Sequence, residues 1–255
     1  MKNTVRKILL WVLLLVMAGG CVVLRIASRN QRADIGCRTL EVSFADSCRF
    51  LSEEDVKECL EQHYGAYIGQ RLDSVDLCKV EKVLGEKSAV KGAEAFITDD
   101  GTLRVDITQR EPVILFDRNG YEFYADEDGY IFPRTDKVQR SIPVVSGYIP
   151  VNCPEGYKGF PAKGRQEKWV SDILGMTAYM KKHYALDKRI SEMKVRQDGR
   201  LVLSNSRGKE TFIFGSPEDY VEKFEKMNIY EKSIRDSLKN YKTVNLMYKK
   251  QIVCK

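Results

Sequence analysis

The chain has 255 residues, enough for one large or two small folded domains. Its 43% hydrophobic and 31% charged content is that of ordinary folded protein, which argues against general disorder. The net charge of +6 is spread along the chain, with no Lys/Arg-dense stripe interleaved with aromatics, so no nucleic-acid partner is expected.

The first element is the clearest. Residues 8–24 carry no charge and are dense in Leu, Val and Ile, with Trp11 among them. At about 1.5 Å per residue they reach roughly 25 Å, a little short of a ~30 Å hydrocarbon core. Arg25 can snorkel to the headgroups, so that Ile26 and Ala27 lengthen the span. This predicts a transmembrane helix over residues 8–27, in contact with membrane lipid, after a short basic tail of residues 1–7. Lys2, Arg6 and Lys7 before it nearly balance Arg25, Arg29 and Arg32 after it, so charge leaves its orientation open. Ala18-Gly19-Gly20-Cys21 is similar to a lipidation signal. However, Ala18 stands where a larger aliphatic residue is usual, and Val22-Val23-Leu24 prolong the apolar run. A retained anchor is therefore preferred to a lipidated Cys21 or a cleaved signal peptide.

Residues 28–36 are polar and aperiodic, which suits a linker. Thr39-Leu40-Glu41-Val42-Ser43-Phe44 alternates as a half-buried strand does. Ser52 followed by Glu53, Glu54 and Asp55 reads as a helix start, and Gly65 as its stop. A second short helix is predicted over residues 73–84 and a strand over 90–98. After the Asp99-Asp100-Gly101 turn comes a returning strand with Leu103, Val105 and Ile107. The order strand, helix, helix, strand, strand is a small α+β module over residues 37–110.

From residue 111 to 255 the pattern is that of a mixed, hairpin-rich β domain with two flanking helices. Val113-Ile114-Leu115-Phe116, Asn119-Gly120 and Tyr121-Glu122-Phe123-Tyr124 make a hairpin, and Tyr130-Ile131-Phe132 a further strand. The prolines between Pro133 and Pro161 predict an irregular stretch. A helix follows over residues 166–184, burying Val170, Ile173, Leu174, Thr177 and Met180, then strands at 193–196, 201–203 and 211–214. Ser216-Pro217-Glu218-Asp219 looks like a capped helix start. Tyr220, Phe224, Met227, Tyr230, Ile234 and Leu238 continue it at helical spacing. One last strand is predicted over residues 243–253, with Val244, Leu246 and Tyr248 alternating.

No chemistry stands out. His63 falls on the apolar face of a predicted helix and reads as a core or boundary residue, and His183 sits near a helix end. The run Asp126-Glu127-Asp128 lies in a hairpin turn, where carboxylates are normally solvated. Cys37, Cys48, Cys59, Cys78, Cys153 and Cys254 show neither CxxC nor zinc-type spacing and read as small buried residues. No catalytic residue, metal site or cofactor is expected. The last strand has no residues after Lys255 to cover it, so it either lies inside the sheet or offers an edge to which a partner adds a strand.

Several stretches, taken in order, resemble the bacterial cell-division family FtsQ, also called DivIB. They are Leu103-Arg104-Val105-Asp106-Ile107 leading into Arg110-Glu111-Pro112-Val113, Asp128-Gly129 before Phe132, and Ile142-Pro143-Val144-Val145-Ser146-Gly147. Near the end come Phe212-Ile213-Phe214-Gly215 before a helix, and Val244-Asn245-Leu246-Met247-Tyr248. The resemblance implies a cytoplasmic N-terminus, a single inner-membrane span, a POTRA-like module and a β domain outside the membrane, at the division septum. It also implies a non-enzymatic scaffold that binds FtsB/DivIC-like and FtsL-like proteins and helps regulate septal peptidoglycan synthesis, with further division proteins received by the POTRA-like module. Carried over, the FtsB-type contact falls on Thr243, Val244, Asn245, Leu246, Met247, Tyr248, Lys249, Lys250, Gln251, Ile252 and Val253, with Tyr248 as the side-chain anchor. Asn245 and Met247 stand where the family usually has an acid and a base. The rival readings are a POTRA-bearing transport or assembly component, and a membrane-anchored lipoprotein hydrolase or carbohydrate binder.

Overall fold

The computed structural model describes residues 11, 16–17, 19–20, 36–45, 50–135, 142–183, 190–205, 210–234 and 241–255. Most of the expected membrane span, the tail of residues 1–7, the linker up to residue 35, Cys21, Cys48 and Leu238 lie outside these residues. Trp11, Val16, Met17, Gly19 and Gly20 are helical and exposed. Among the described residues, no helix is long and apolar enough to cross a membrane. The chain divides into two compact units, residues 1–109 and 110–255.

The first unit is a three-stranded sheet with two helices. Its strands are β1 (Thr39–Phe44), β2 (Val90–Ile97) and β3 (Thr102–Gln109), ordered β1-β3-β2, with β1 parallel and β2 antiparallel to β3. Leu103, Val105 and Ile107 on β3 are fully buried, as the alternation predicts. Helix α1 (Glu53–His63) begins with a reciprocal cap: the Ser52 hydroxyl accepts from the Asp55 N–H at 3.2 Å, and the Asp55 carboxylate accepts from the Ser52 N–H at 2.8 Å. Helix α2 is Leu77–Gly85, not residues 73–84. Residues Leu72–Ser74 form a 3₁₀ turn, where the Asp73 carboxylate is taken up by Arg71 at 3.0 Å. Asp76, accepting from the Lys79 N–H at 3.0 Å, is the cap. His63 also departs from expectation, since it is exposed, with Nδ1 3.1 Å from the Cys59 carbonyl. Gln109 ends β3 by accepting from the Phe50 and Leu51 N–H groups, each at 2.9 Å.

The second unit is built on a mixed nine-stranded sheet. Its strands are β4 (Pro112–Arg118), β5 (Tyr121–Asp126), β6 (Ile131–Pro133), β7 (Val144–Gly147), β8 (Ile190–Val195), β9 (Leu201–Asn205), β10 (Thr211–Gly215), β11 (Thr243–Asn245) and β12 (Val253–Cys254). They lie in the order β12-β11-β10-β9-β8-β7-β4-β5-β6. Strand β7 falls in the stretch predicted to be irregular, yet it sits between β4 and β8, parallel to both. Pro143 does not prevent this, because it precedes the strand and still accepts from the Leu115 N–H at 2.9 Å. At Gly147, with φ at +97°, a Cβ would lie 2.3 Å from the Val195 carbonyl oxygen, so only glycine fits.

Helix α3 (Arg165–His183) buries Val170, Ile173, Met176, Thr177 and Met180, while Leu174 is only partly buried. Helix α4 (Tyr220–Ile229) meets it where the Tyr179 and Phe224 rings stack at 5.8 Å, and a π turn continues over Tyr230–Ile234. The cap of α4 is Asp219, in the left-handed region at φ 51°, rather than Ser216. The segment before it instead wraps the buried Lys223 ammonium, which donates to the Ser216 and Glu218 carbonyls at 2.8 and 2.7 Å. Burial pushes the Lys223 pKa down.

Asp126 is not solvated, as its place in an acidic turn suggested, but only 2% exposed. It accepts from Arg110 Nη1 at 2.7 Å and from the Tyr130 and Asp128 N–H groups at 2.9 and 3.1 Å. The Arg110 guanidinium lies 3.4 Å from the centre of the Tyr130 ring. Cys37, Cys59 and Cys153 are buried in the two cores as read from the sequence, whereas Cys78 is exposed. Burial pushes the Cys153 thiol up to about 11.

Candidate functional site

The predicted last strand is in fact a hairpin. Strand β11 pairs with β10 on one side, in parallel, and with β12 on the other, antiparallel. Thr243 and Asn245 therefore have no free backbone edge, and Val244 is fully buried. Beyond Asn245 the chain turns, because the Asn245 side-chain carbonyl accepts the Met247 N–H at 3.0 Å. Leu246 is fully buried, and its N–H donates to the Ile213 carbonyl at 3.0 Å.

The outer edge belongs to β12. Thr243 and Lys255 exchange both backbone bonds, at 3.0 and 2.9 Å. Val244 and Cys254 then form the next, non-bonded pair, and Asn245 and Val253 the following bonded one. In that alternation the Cys254 N–H and C=O point away from β11. Among the described residues, no strand pairs with the outer side of the sheet at residues 252–254. At the far end of the sheet, β6 is different: Ile131 exchanges backbone bonds with Gly159 at 2.8 and 2.9 Å, which covers that edge.

The turn of residues 246–252 is braced from α4. The Lys226 ammonium, buried, donates to the Leu246 and Tyr248 carbonyls at 2.9 and 2.7 Å and meets Glu222 at 3.1 Å. Glu222 in turn accepts the Lys250 N–H at 3.1 Å, and Lys250 has φ 56°. That backbone bond, aided by Lys226, holds the Glu222 carboxyl below its ordinary pKa. Met247 packs over Gly215, where a Cβ would approach its Cγ to 2.7 Å.

Of the residues expected to contact a partner, Tyr248, Lys249, Lys250 and Gln251 are exposed on the turn, with Tyr248 at 51%. Ile252 and Val253 are half-buried and reach the edge. Thr243, Val244, Asn245 and Leu246 are committed to the sheet and core. Cys254, outside the expected stretch, carries the outward backbone groups. Its place could have been read from Tyr248-Lys249-Lys250-Gln251 lying between the apolar Leu246-Met247 and Ile252-Val253-Cys254, which is the pattern of a hairpin turn. No three His, Cys, Asp or Glu among the described residues are grouped so as to hold a metal ion.

Residues 111–255 match the family model described as FtsQ/DivIB, C-terminal related. Residues 36–108 match that of a POTRA-like domain. No curated protein is similar enough to count as a match.

Proposed function

The chain belongs to the FtsQ/DivIB family, and from that premise we propose that it is a non-enzymatic scaffold that binds FtsB/DivIC-type and FtsL-type division proteins and helps regulate septal peptidoglycan synthesis. Residues 8–27 anchor it in the plasma (inner) membrane, with residues 1–7 in the cytoplasm. Residues 28–36 link the span to a POTRA-like domain of residues 37–110 and a β domain of residues 111–255, both outside the membrane at the septum. The POTRA-like domain receives further division proteins.

The observation that carries this reading is the outward Cys254 backbone at the end of the sheet, with Tyr248 exposed on the turn that leads into β12. A partner strand laid against residues 252–254 gains main-chain hydrogen bonds, and Tyr248 on the preceding turn supplies an exposed aromatic anchor. The test follows from the register. A proline at Cys254 removes an N–H that points away from β11 and that no group among the described residues accepts, which is where proline is tolerated in sheets. Cys254→Pro in the full-length chain should fold and weaken binding of the extracytoplasmic part of an FtsB/DivIC-type protein at least tenfold. Undiminished binding by Cys254→Pro would remove the edge as the site. Failure of the unaltered chain to bind would remove the division partner itself.

A further inference from the structure

The β4–β5 hairpin turns on the chain's one Asn-Gly dipeptide, Asn119-Gly120. Both residues are exposed and lie at positive φ, 53° and 93°, in a two-residue loop between the paired Arg118 and Tyr121. The dipeptide that suits this turn also carries a reaction of its own. The backbone nitrogen after an asparagine can attack the side-chain amide carbon, and glycine, having no side chain, leaves that nitrogen open.

In that reaction the Gly120 nitrogen gives up its proton and bonds to Asn119 Cγ. The Cγ–Nδ2 bond breaks, and the amide group leaves with that proton as ammonia. Water then adds to one of the two carbonyls of the cyclic imide that remains. Opening at Cγ gives aspartate; opening at the main-chain carbonyl gives isoaspartate, whose backbone runs through Cβ and Cγ. Nothing is oxidised or reduced.

One contact opposes the first step. The Gly120 N–H donates to Asp117 Oδ1 at 2.7 Å, a charge-assisted bond. Loss of the proton would put negative charge on a nitrogen already set against a carboxylate, which Coulomb repulsion disfavours. The nitrogen is released only when the turn opens.

The hairpin tip also holds a neighbouring segment. The Arg118 guanidinium donates to the Val151 and Cys153 carbonyls at 2.8 and 2.6 Å, and the Tyr121 hydroxyl to the Pro154 carbonyl at 2.8 Å. Isoaspartate at position 119 puts an extra carbon into the backbone between the two residues that make these bonds. A loop so lengthened no longer matches the pairing of Arg118 with Tyr121.

We propose that Asn119 is a site of spontaneous deamidation that Asp117 restrains in the folded chain, and that its isoaspartate product loosens residues 151–154. The step needs only water, runs one way, and is independent of the C-terminal edge.

The full-length chain in detergent is incubated in mildly alkaline buffer, and conversion at Asn119 is followed by mass spectrometry that separates isoaspartate from aspartate. Unfolding the same chain in guanidinium should speed conversion at least tenfold. Asp117→Ala should also speed it at least tenfold while the thermal transition shows the chain still folded. Asp117→Asn keeps an acceptor without the charge and should fall between; it decides the comparison if Asp117→Ala unfolds. The isoaspartate form should label faster at Cys153, which is fully buried in the unmodified chain, than Asn119→Gln incubated alongside. No conversion at Asn119, equal rates in the folded and unfolded chain, or unchanged rates in both Asp117 variants would overturn the proposal. So would slower conversion in those variants, which would make Asp117 the base that takes the proton, or unaltered labelling of Cys153 in the isoaspartate form.

Discussion

At the scale of single residues, the Arg110–Asp126 pair explains a stretch of sequence that carries the family resemblance. Asp126 is buried with three donors around it, and Arg110 is pressed on the Tyr130 ring. A buried charge left without its partner is strongly destabilising. Asp126→Ala is therefore expected to lower the stability of the second unit by about 3–5 kcal/mol in urea denaturation. Nothing in Asp126-Glu127-Asp128 distinguished the buried carboxylate from its exposed neighbours, because burial here depends on a guanidinium 16 positions away in sequence. The cysteines make a similar point: thiol labelling of the native chain should modify the exposed Cys78 and spare Cys153 until the second unit unfolds. Glu222 gives the turn of residues 246–252 a dependence on acid. A carboxyl whose folded pKa lies below its unfolded value stabilises above the unfolded value, and that contribution is lost as pH falls through the folded one. The Lys250 amide should thus lose hydrogen-exchange protection below the ordinary carboxylate range, and Glu222→Gln should remove this pH dependence.

At the scale of elements, most strands and helices were legible because alternation and helical spacing coincided with burial. The exceptions have local causes. Strand β7 was hidden between prolines that flank it without entering its ladder. The start of α4 was misplaced because Ser216 serves the Lys223 ammonium instead of the helix N-terminus. Residues 243–253 alternate as a strand would, and the side chains of Val244 and Leu246 do stay in the core, but the Asn245 side chain accepts the Met247 N–H and turns the backbone beyond it. The bracing lysine was invisible, since nothing in sequence ties Lys226 to carbonyls 20 and 22 positions on. Lys226→Met leaves those two carbonyls without their donor. It is expected to cost about 1–3 kcal/mol and to weaken partner binding at the adjoining edge. Leu246→Pro, by contrast, breaks the bond to Ile213 inside the core and should unfold the unit, so it does not report on binding. The small sheet shows how an edge is closed: Thr98 bonds Thr102, which turns the Ala95 N–H outward, and Glu81 accepts it at 2.9 Å.

At the scale of the whole chain, the two units have separate hydrophobic cores, one drawn from residues 37–107 and the other from residues 114–246. The junction is short, since Gln109 is bonded within the first unit and Arg110 within the second. Separate cores predict separable unfolding. Leu103→Ala should destabilise the first unit by about 2–5 kcal/mol while leaving the second unit's transition, and binding at β12, in place. The boundary near residue 110 was suggested by the change from helical spacing to hairpins. Strand order could not be read that way, because alternation identifies the buried face of a strand and not its neighbours.

The most direct test of the central claim is hydrogen exchange of the full-length chain, with and without the extracytoplasmic part of an FtsB/DivIC-type protein, followed at the backbone amides of residues 252–255. Strand addition predicts that the Cys254 N–H, which no group among the described residues accepts, becomes strongly protected in the complex, while Val244 and Leu246 stay protected in both states. A saturated complex in which Cys254 exchanges as fast as in the free chain would contradict the account and place the partner elsewhere on the molecule.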